Sequence, residues 1–135
     1  MTYDITDIEG IGETYGAKLK LQGVHKTSDL LEKAGTKKGR VALANETGLP
    51  ESLILTWVNH ADLMRINGIG GQFGELLEAG GVDTVKELAQ RNPDNLHAKL
   101  VETNDRLGVS GRVPSADEIR AMIAQAATMD QKVFH

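Results

Sequence analysis

A five-residue phrase occurs twice in this chain, as Ile8-Glu9-Gly10-Ile11-Gly12 and again 58 residues later as Ile66-Asn67-Gly68-Ile69-Gly70. Each copy sets two glycines around an isoleucine and then opens a helical pattern. Glycine enters left-handed backbone conformations without steric cost, so it suits a sharp corner between helices. Ile11 and Ile69 are placed to turn inward and pin each corner to a core. A chain that carries this device twice is constrained to short helices joined by tight hairpins.

The duplication runs past the corner. At the same spacing Tyr15 aligns with Phe73, Gly16 with Gly74, Leu19 with Leu77, Gly23-Val24 with Gly81-Val82 and Asp29-Leu30 with Glu87-Leu88. Each copy therefore contains a hairpin, a short helix, a Gly-Val turn and a second short helix. Self-similarity of this kind marks two copies of one supersecondary unit. Downstream, Gly48 and Gly108 are placed to end helices over 37–47 and 94–107 as left-handed caps. Pro50 opens a helix that carries Leu53, Ile54, Trp57, Val58 and Ala61 on one face. Ser115 to Glu118 has the form of a capping box, and so does Thr84 to Glu87. Ile119, Met122, Ile123 and Ala126 repeat the apolar stripe in the last helix.

The fold class expected is all-α, with helices over 14–22, 27–34, 37–47, 50–64, 72–80, 84–91, 94–107 and 115–129. They form two pseudo-symmetric helix-hairpin-helix repeats, residues 1–64 and 65–135, packed as one compact unit. Tyr3 to Ile8 alternates in polarity and is expected as an extended lead-in. The first hairpin has no helix before it and the last helix has no hairpin after it. Helix 115–129 is therefore expected to pack behind hairpin 8–12 and close the particle.

Composition narrows the chemistry. Aromatics are 4%, so Leu, Ile, Val and Ala must build the core, and Trp57 belongs to its helix's apolar stripe rather than to a stacking platform. The net charge of −4 argues against attachment to nucleic acid by bulk charge, while leaving room for a local patch. The absence of cysteine excludes disulfides, zinc thiolates and thiol nucleophiles. No apolar run approaches ~20 residues and no signal-peptide pattern opens the chain, so a cytoplasmic protein without a membrane span is expected. His25, His60, His97 and His135 lack ligand spacing, so no metal site is expected. The third glycine of a dinucleotide fingerprint is replaced by Tyr15 in one copy and Phe73 in the other. No catalytic residue and no cofactor are expected, and the chain is not read as an enzyme.

The helix that follows each hairpin begins at once and leaves its first amide N–H groups free. Those donors and the helix dipole suit an anionic phosphate, gripped with little regard to base sequence. The candidate nucleic-acid contacts are Gly10 and Gly12 in the first hairpin and Gly68, Gly70, Gly71 and Gln72 in the second. Lys18, Lys20, Lys37, Lys38 and Arg40 are supporting charges. Glu9 and Glu13 bracket the first hairpin and repel phosphate, whereas Asn67, Gly71 and Gln72 are neutral, so the second is expected to lead. DNA or another nucleic acid is thus the first candidate partner. The alternative is a protein–protein adaptor or scaffold in which the hairpins serve packing alone.

The residues also carry a resemblance. Ile8-Glu9-Gly10-Ile11-Gly12, Leu43-Ala44-Asn45-Glu46-Thr47-Gly48 and Trp57-Val58-Asn59-His60-Ala61-Asp62-Leu63 are among its carriers. It continues through Arg65-Ile66-Asn67-Gly68-Ile69-Gly70, Leu76-Leu77-Glu78-Ala79-Gly80-Gly81-Val82-Asp83-Thr84-Val85, Glu87-Leu88-Ala89 and Arg91-Asn92-Pro93. Over nearly its whole length the chain resembles a bacterial family of tandem helix-hairpin-helix proteins of unknown function. The wider helix-hairpin-helix class implies binding of nucleic acid without sequence preference, sometimes with a monovalent cation on hairpin carbonyls. In polymerases, ligases, nucleases and glycosylases it serves as an accessory module.

Overall fold

Short helices need their ends satisfied, and this sequence places a polar cap at half of its α-helix starts. Thr36, Thr84, Asn92 and Ser115 each accept a hydrogen bond from the amide three residues on. Gly48 and Gly108 end their helices at φ of 74° and 62°, in the left-handed region where a side chain is strained. The result, in a computed structural model that describes residues 2–135, is all-helical. The helices are α1 (Glu13–Leu21), α2 (Thr27–Ala34), α3 (Lys37–Thr47), α4 (Glu51–Leu63), α5 (Gly71–Ala79), α6 (Val85–Leu88), α7 (Pro93–Leu107) and α8 (Ala116–Ala126). Among the described residues there is no strand, only one antiparallel bridge between Asp4 and Lys26.

Three boundaries differ from expectation, each for a local reason. α6 stops at Leu88, because Gln90 and Arg91 turn back on Glu87 and Leu88 with three-residue bonds before Pro93. α8 tightens in the same way after Ala126, where Thr128 and Met129 bond to Gln125 and Ala126. The lead-in is not extended throughout. Ile5–Asp7 is a 3₁₀ turn, closed by the Asp4 carboxylate, which accepts from the amide and hydroxyl of Thr6.

α4 lies at the centre, packed on α2 and α3 on one side and on α5 on the other. Its residues Trp57 to Leu63 are all buried, so it is a core helix rather than a half-solvated one. Trp57 is 1% exposed and meets the Tyr15 ring at 5.3 Å and 55°. Truncating a tryptophan so placed costs about 3–5 kcal/mol. Buried residues from both halves, with Val133 near the end, make one contiguous cluster.

The expected seat of α8 is not the one observed. α8 packs on α7 and α6, its Met122 lies beside Gly68, and its Gln125 Oε1 accepts from the Asn67 amide at 3.0 Å. It therefore stands behind the second Gly-Ile-Gly turn, not the first. The place before the first turn is held by the 3₁₀ turn. Thr6 faces Gly16 there as Met64 faces Gly74 in the second half. Asp4 pairs with Lys20 as His60 pairs with Glu78. Three residues thus do for α1 what the end of α4 does for α5.

Candidate functional site

The two Gly-Ile-Gly turns share one backbone solution. Gly10 and Gly68 have φ of 91° and 88°, which only glycine adopts readily. Ile11 and Ile69 donate their amides to Ile8 and Ile66, both at 3.1 Å, and both side chains are buried. The second glycine of each pair does not take a left-handed angle. Gly12 and Gly70 have φ of −85° and −100° and stand as the caps of α1 and α5. Neither cap supplies a side-chain acceptor, so the first amides of both helices lack a side-chain partner from that position.

Their surroundings invert the expected order of openness. Nothing stands within 4 Å of the Cβ positions of Gly10 and Gly12, and both residues are exposed. At Gly71 the Asp7 carbonyl oxygen and the Glu9 side chain close in. A carboxylate of the first turn thus sits over the start of α5, where the dipole favours an anion. On the other side Gln72 Oε1 accepts from the Ser110 hydroxyl at 3.4 Å and the Gly111 amide at 3.3 Å. Arg112 then lies 5.1 Å from the centre of the Phe73 ring and forms two bonds to Glu118. Asn67 is bonded to Gln125 and Gly68 lies against Met122, although both remain exposed and nothing stands within 4 Å of the Cβ position of Gly70, so the crowding of the second turn is confined to the start of α5. The first is open, but Glu9 and Glu13 flank it.

The basic residues divide in the same way. Lys18 is exposed on α1, and Lys20 is paired with Asp4 at 3.7 Å. Lys37 and Lys38 are exposed in the first turn of α3. Arg40 is not a surface charge. It is 2% exposed, and its guanidinium donates to the carbonyls of Ala34, Gly35 and Phe134 at 3.2, 2.9 and 2.7 Å. Burial lowers its pKa from the ordinary guanidinium value. Its Nε has no partner. A cation held by three carbonyls serves the core, not a phosphate.

The structure also gathers polar residues that the sequence did not single out. His60, 3% exposed, pairs with Glu78 across the α4–α5 contact, and its Nδ1 has no partner. Burial, then the nearby Glu9 carboxylate, holds Glu75 above the usual carboxylate range. Asp83 is pushed up by burial and then by Glu87. Asp62, also buried, accepts from Arg65 Nε and from the Val85 amide, both at 2.9 Å, so one carboxylate ties α4 to α6. The only hint in the sequence was the run Asn59-His60 and Asp62 inside an otherwise apolar stretch of α4. Among the described residues no set of three His, Asp or Glu side chains is arranged to hold a metal ion. No helix there is long and apolar enough to cross a membrane. A cavity of about 320 Å³ opens beside Asp62, bounded by Thr84, Lys86, Glu87, Gln131 and His135.

Comparison with known proteins finds a family for this chain. The model of a family described as Domain of unknown function (DUF4332) covers residues 9–129. No curated protein and no solved structure matches the chain.

Proposed function

We propose, for a chain that belongs to the DUF4332 family, that it is a non-enzymatic binding module whose ligand is another protein. Its paired Gly-Ile-Gly turns act as folding devices. Their common angles and hydrogen bonds support a duplicated helix-hairpin-helix unit. The observation that carries the adaptor reading is the Asp7 carbonyl and Glu9 side chain over the start of α5. They crowd the first residue of α5, and a carboxylate near a helix start opposes a phosphate there. The loss of Arg40 to the core removes one of the five supporting charges.

Binding to nucleic-acid backbone is the second reading, and one observation favours it. The first turn is unobstructed at Gly10 and Gly12, and Lys18, Lys37 and Lys38 are exposed. Titration of labelled duplex DNA at low and moderate salt separates the two. The adaptor reading expects no binding at low salt even at high protein concentration. Binding that weakens with salt, and weakens further in Lys37→Glu/Lys38→Glu, would overturn it.

A further inference from the structure

α7 packs on α5 and α8 and buries Leu96, Leu100 and Thr103, while its opposite side faces solvent along its length. Ala98, Val101, Glu102 and Asp105 recur on that side at three- and four-residue spacing, so they share one stripe, and all four are exposed. With His97 and Arg106 they line a shallow hollow of about 660 Å³.

The charges of this face stand apart from the ion pairs nearby. Arg112 pairs with Glu118, and Arg120 pairs with Asp117 and with Asp94 at the start of α7. Lys99, Glu102, Asp105 and Arg106 form no ion pair among the described residues.

Their order is complementary to itself when reversed. Along α7 the chain sets His97 and Lys99 first, then Glu102 and Asp105. A second α7 running antiparallel and centred on Val101 brings Lys99 opposite the other copy's Glu102 and His97 opposite its Asp105. A two-fold axis repeats both contacts. At 3.6 residues per turn, Lys99 and Glu102 lie to one side of Ala98, and His97 and Asp105 lie to the other. Antiparallel packing about a two-fold axis sets each side against the same side of the other copy, so both pairs can form together. A parallel two-fold pair would instead set each charge against its own like, which penalises that arrangement.

We propose that the exposed face of α7 is a contact between two copies of this chain, which associate antiparallel and reversibly through it. Lys99 with Glu102 and His97 with Asp105 set the register, and Val101 meets its own counterpart at the axis. The apolar contact is limited to Ala98 and Val101, so the dimer forms at protein concentrations of roughly 0.1–1 mM. The inference is independent of what the module binds. A two-fold pair presents the module's binding surface twice and gains avidity for a multivalent partner.

The test is sedimentation equilibrium of the whole chain, carried to about 1 mM at low and moderate salt. The expected result is a monomer–dimer equilibrium that weakens as salt rises. Lys99→Glu and Glu102→Lys, each alone, set like charges opposite one another and should associate roughly tenfold or more weakly than the parent. An equimolar mixture of the two variants should recover a dimer with one of each, because each supplies the charge that the other's contact requires. Mixing changes nothing within either chain, so recovery reports the contact and not the folding of the variants. A parent that stays monomeric throughout the range overturns the proposal. So does a dimer that both variants form as readily as the parent, which would place association on another face. Variants that lose association and do not recover it on mixing overturn it as well.

Discussion

Gly71 lies so close to Asp7 that a Cβ added at Gly71 would come within 3.0 Å of the Asp7 carbonyl oxygen. The start of α5 and the 3₁₀ turn before the first hairpin are in main-chain contact, and glycine is what permits it. Main-chain atoms give way less readily than the end of a flexible side chain. Gly71→Ala should therefore destabilise the fold by about 1–3 kcal/mol, the usual range for overpacking. Gly12→Ala, at φ −85° with open space around it, should change stability by less than about 0.5 kcal/mol. Denaturant unfolding of the two variants checks the pair, and equal effects would contradict the contact.

Arg40 provides a second contrast. Arg40→Ala takes the guanidinium donor from the Ala34 and Phe134 carbonyls and should lower stability by about 2–4 kcal/mol. Lys38→Ala, on the exposed side of the same helix, should lie within about 0.5 kcal/mol of the parent. Urea midpoints at unchanged slope give both numbers. A solvent-exposed Arg40 would make the two variants alike.

Glu75 should make the protein less stable when it is charged. Burial and the Glu9 carboxylate raise its pKa in the folded state above the ordinary value. A carboxylate raised in this way binds its proton more tightly folded than unfolded, so stability increases as pH falls through the folded pKa. Glu75→Gln is therefore expected to raise the melting temperature at pH 7. The gain should vanish below the ordinary glutamate pKa, where the parent is protonated in both states. Thermal melts of parent and variant from pH 3 to 8 test the sign.

Glu118 runs the other way. The two bonds from Arg112, then the Ser115 amide, hold its carboxyl down to about 2. A depressed carboxylate contributes above its unfolded pKa and loses that contribution as pH falls toward the folded value. Carboxyl carbon shifts should place its titration near 2, and Arg112→Ala should move it up toward the ordinary glutamate range. The group is exposed, so the readout is the titration midpoint rather than global stability.

Helix limits were legible because they depend on neighbours in sequence. Ser115 and Glu118 form the reciprocal cap that their spacing implies, and Gly48 and Gly108 adopt the left-handed angles that their positions imply. Thr84 caps α6, although Glu87 reaches back to the Asp83 amide, one residue earlier than a capping box would place it. What could not be read from sequence depends on distant partners. Arg40 reads in sequence as part of a basic cluster because its burial depends on the C-terminal segment, whose Phe134 carbonyl is 94 residues away. Gly71 looked open because Asp7 and Glu9 come to it only through packing of the two halves. The sequence pattern points α8 to the first turn, because nothing local shows that three residues of 3₁₀ turn can replace a helix end; the structure puts it at the second. Charge and composition described the flanks of each turn correctly but not which flank faces which.

The bond between Arg40 and the Phe134 carbonyl also bears on the order in which the molecule assembles. A contact closed across so much chain forms after the local helices, because its loop-closure entropy must first be overcome by other contacts. Until then the guanidinium remains hydrated. Loosening this clasp should therefore leave the refolding rate nearly unchanged and appear almost wholly as faster unfolding. The clasp would then set how long the protein stays folded rather than how quickly it gets there.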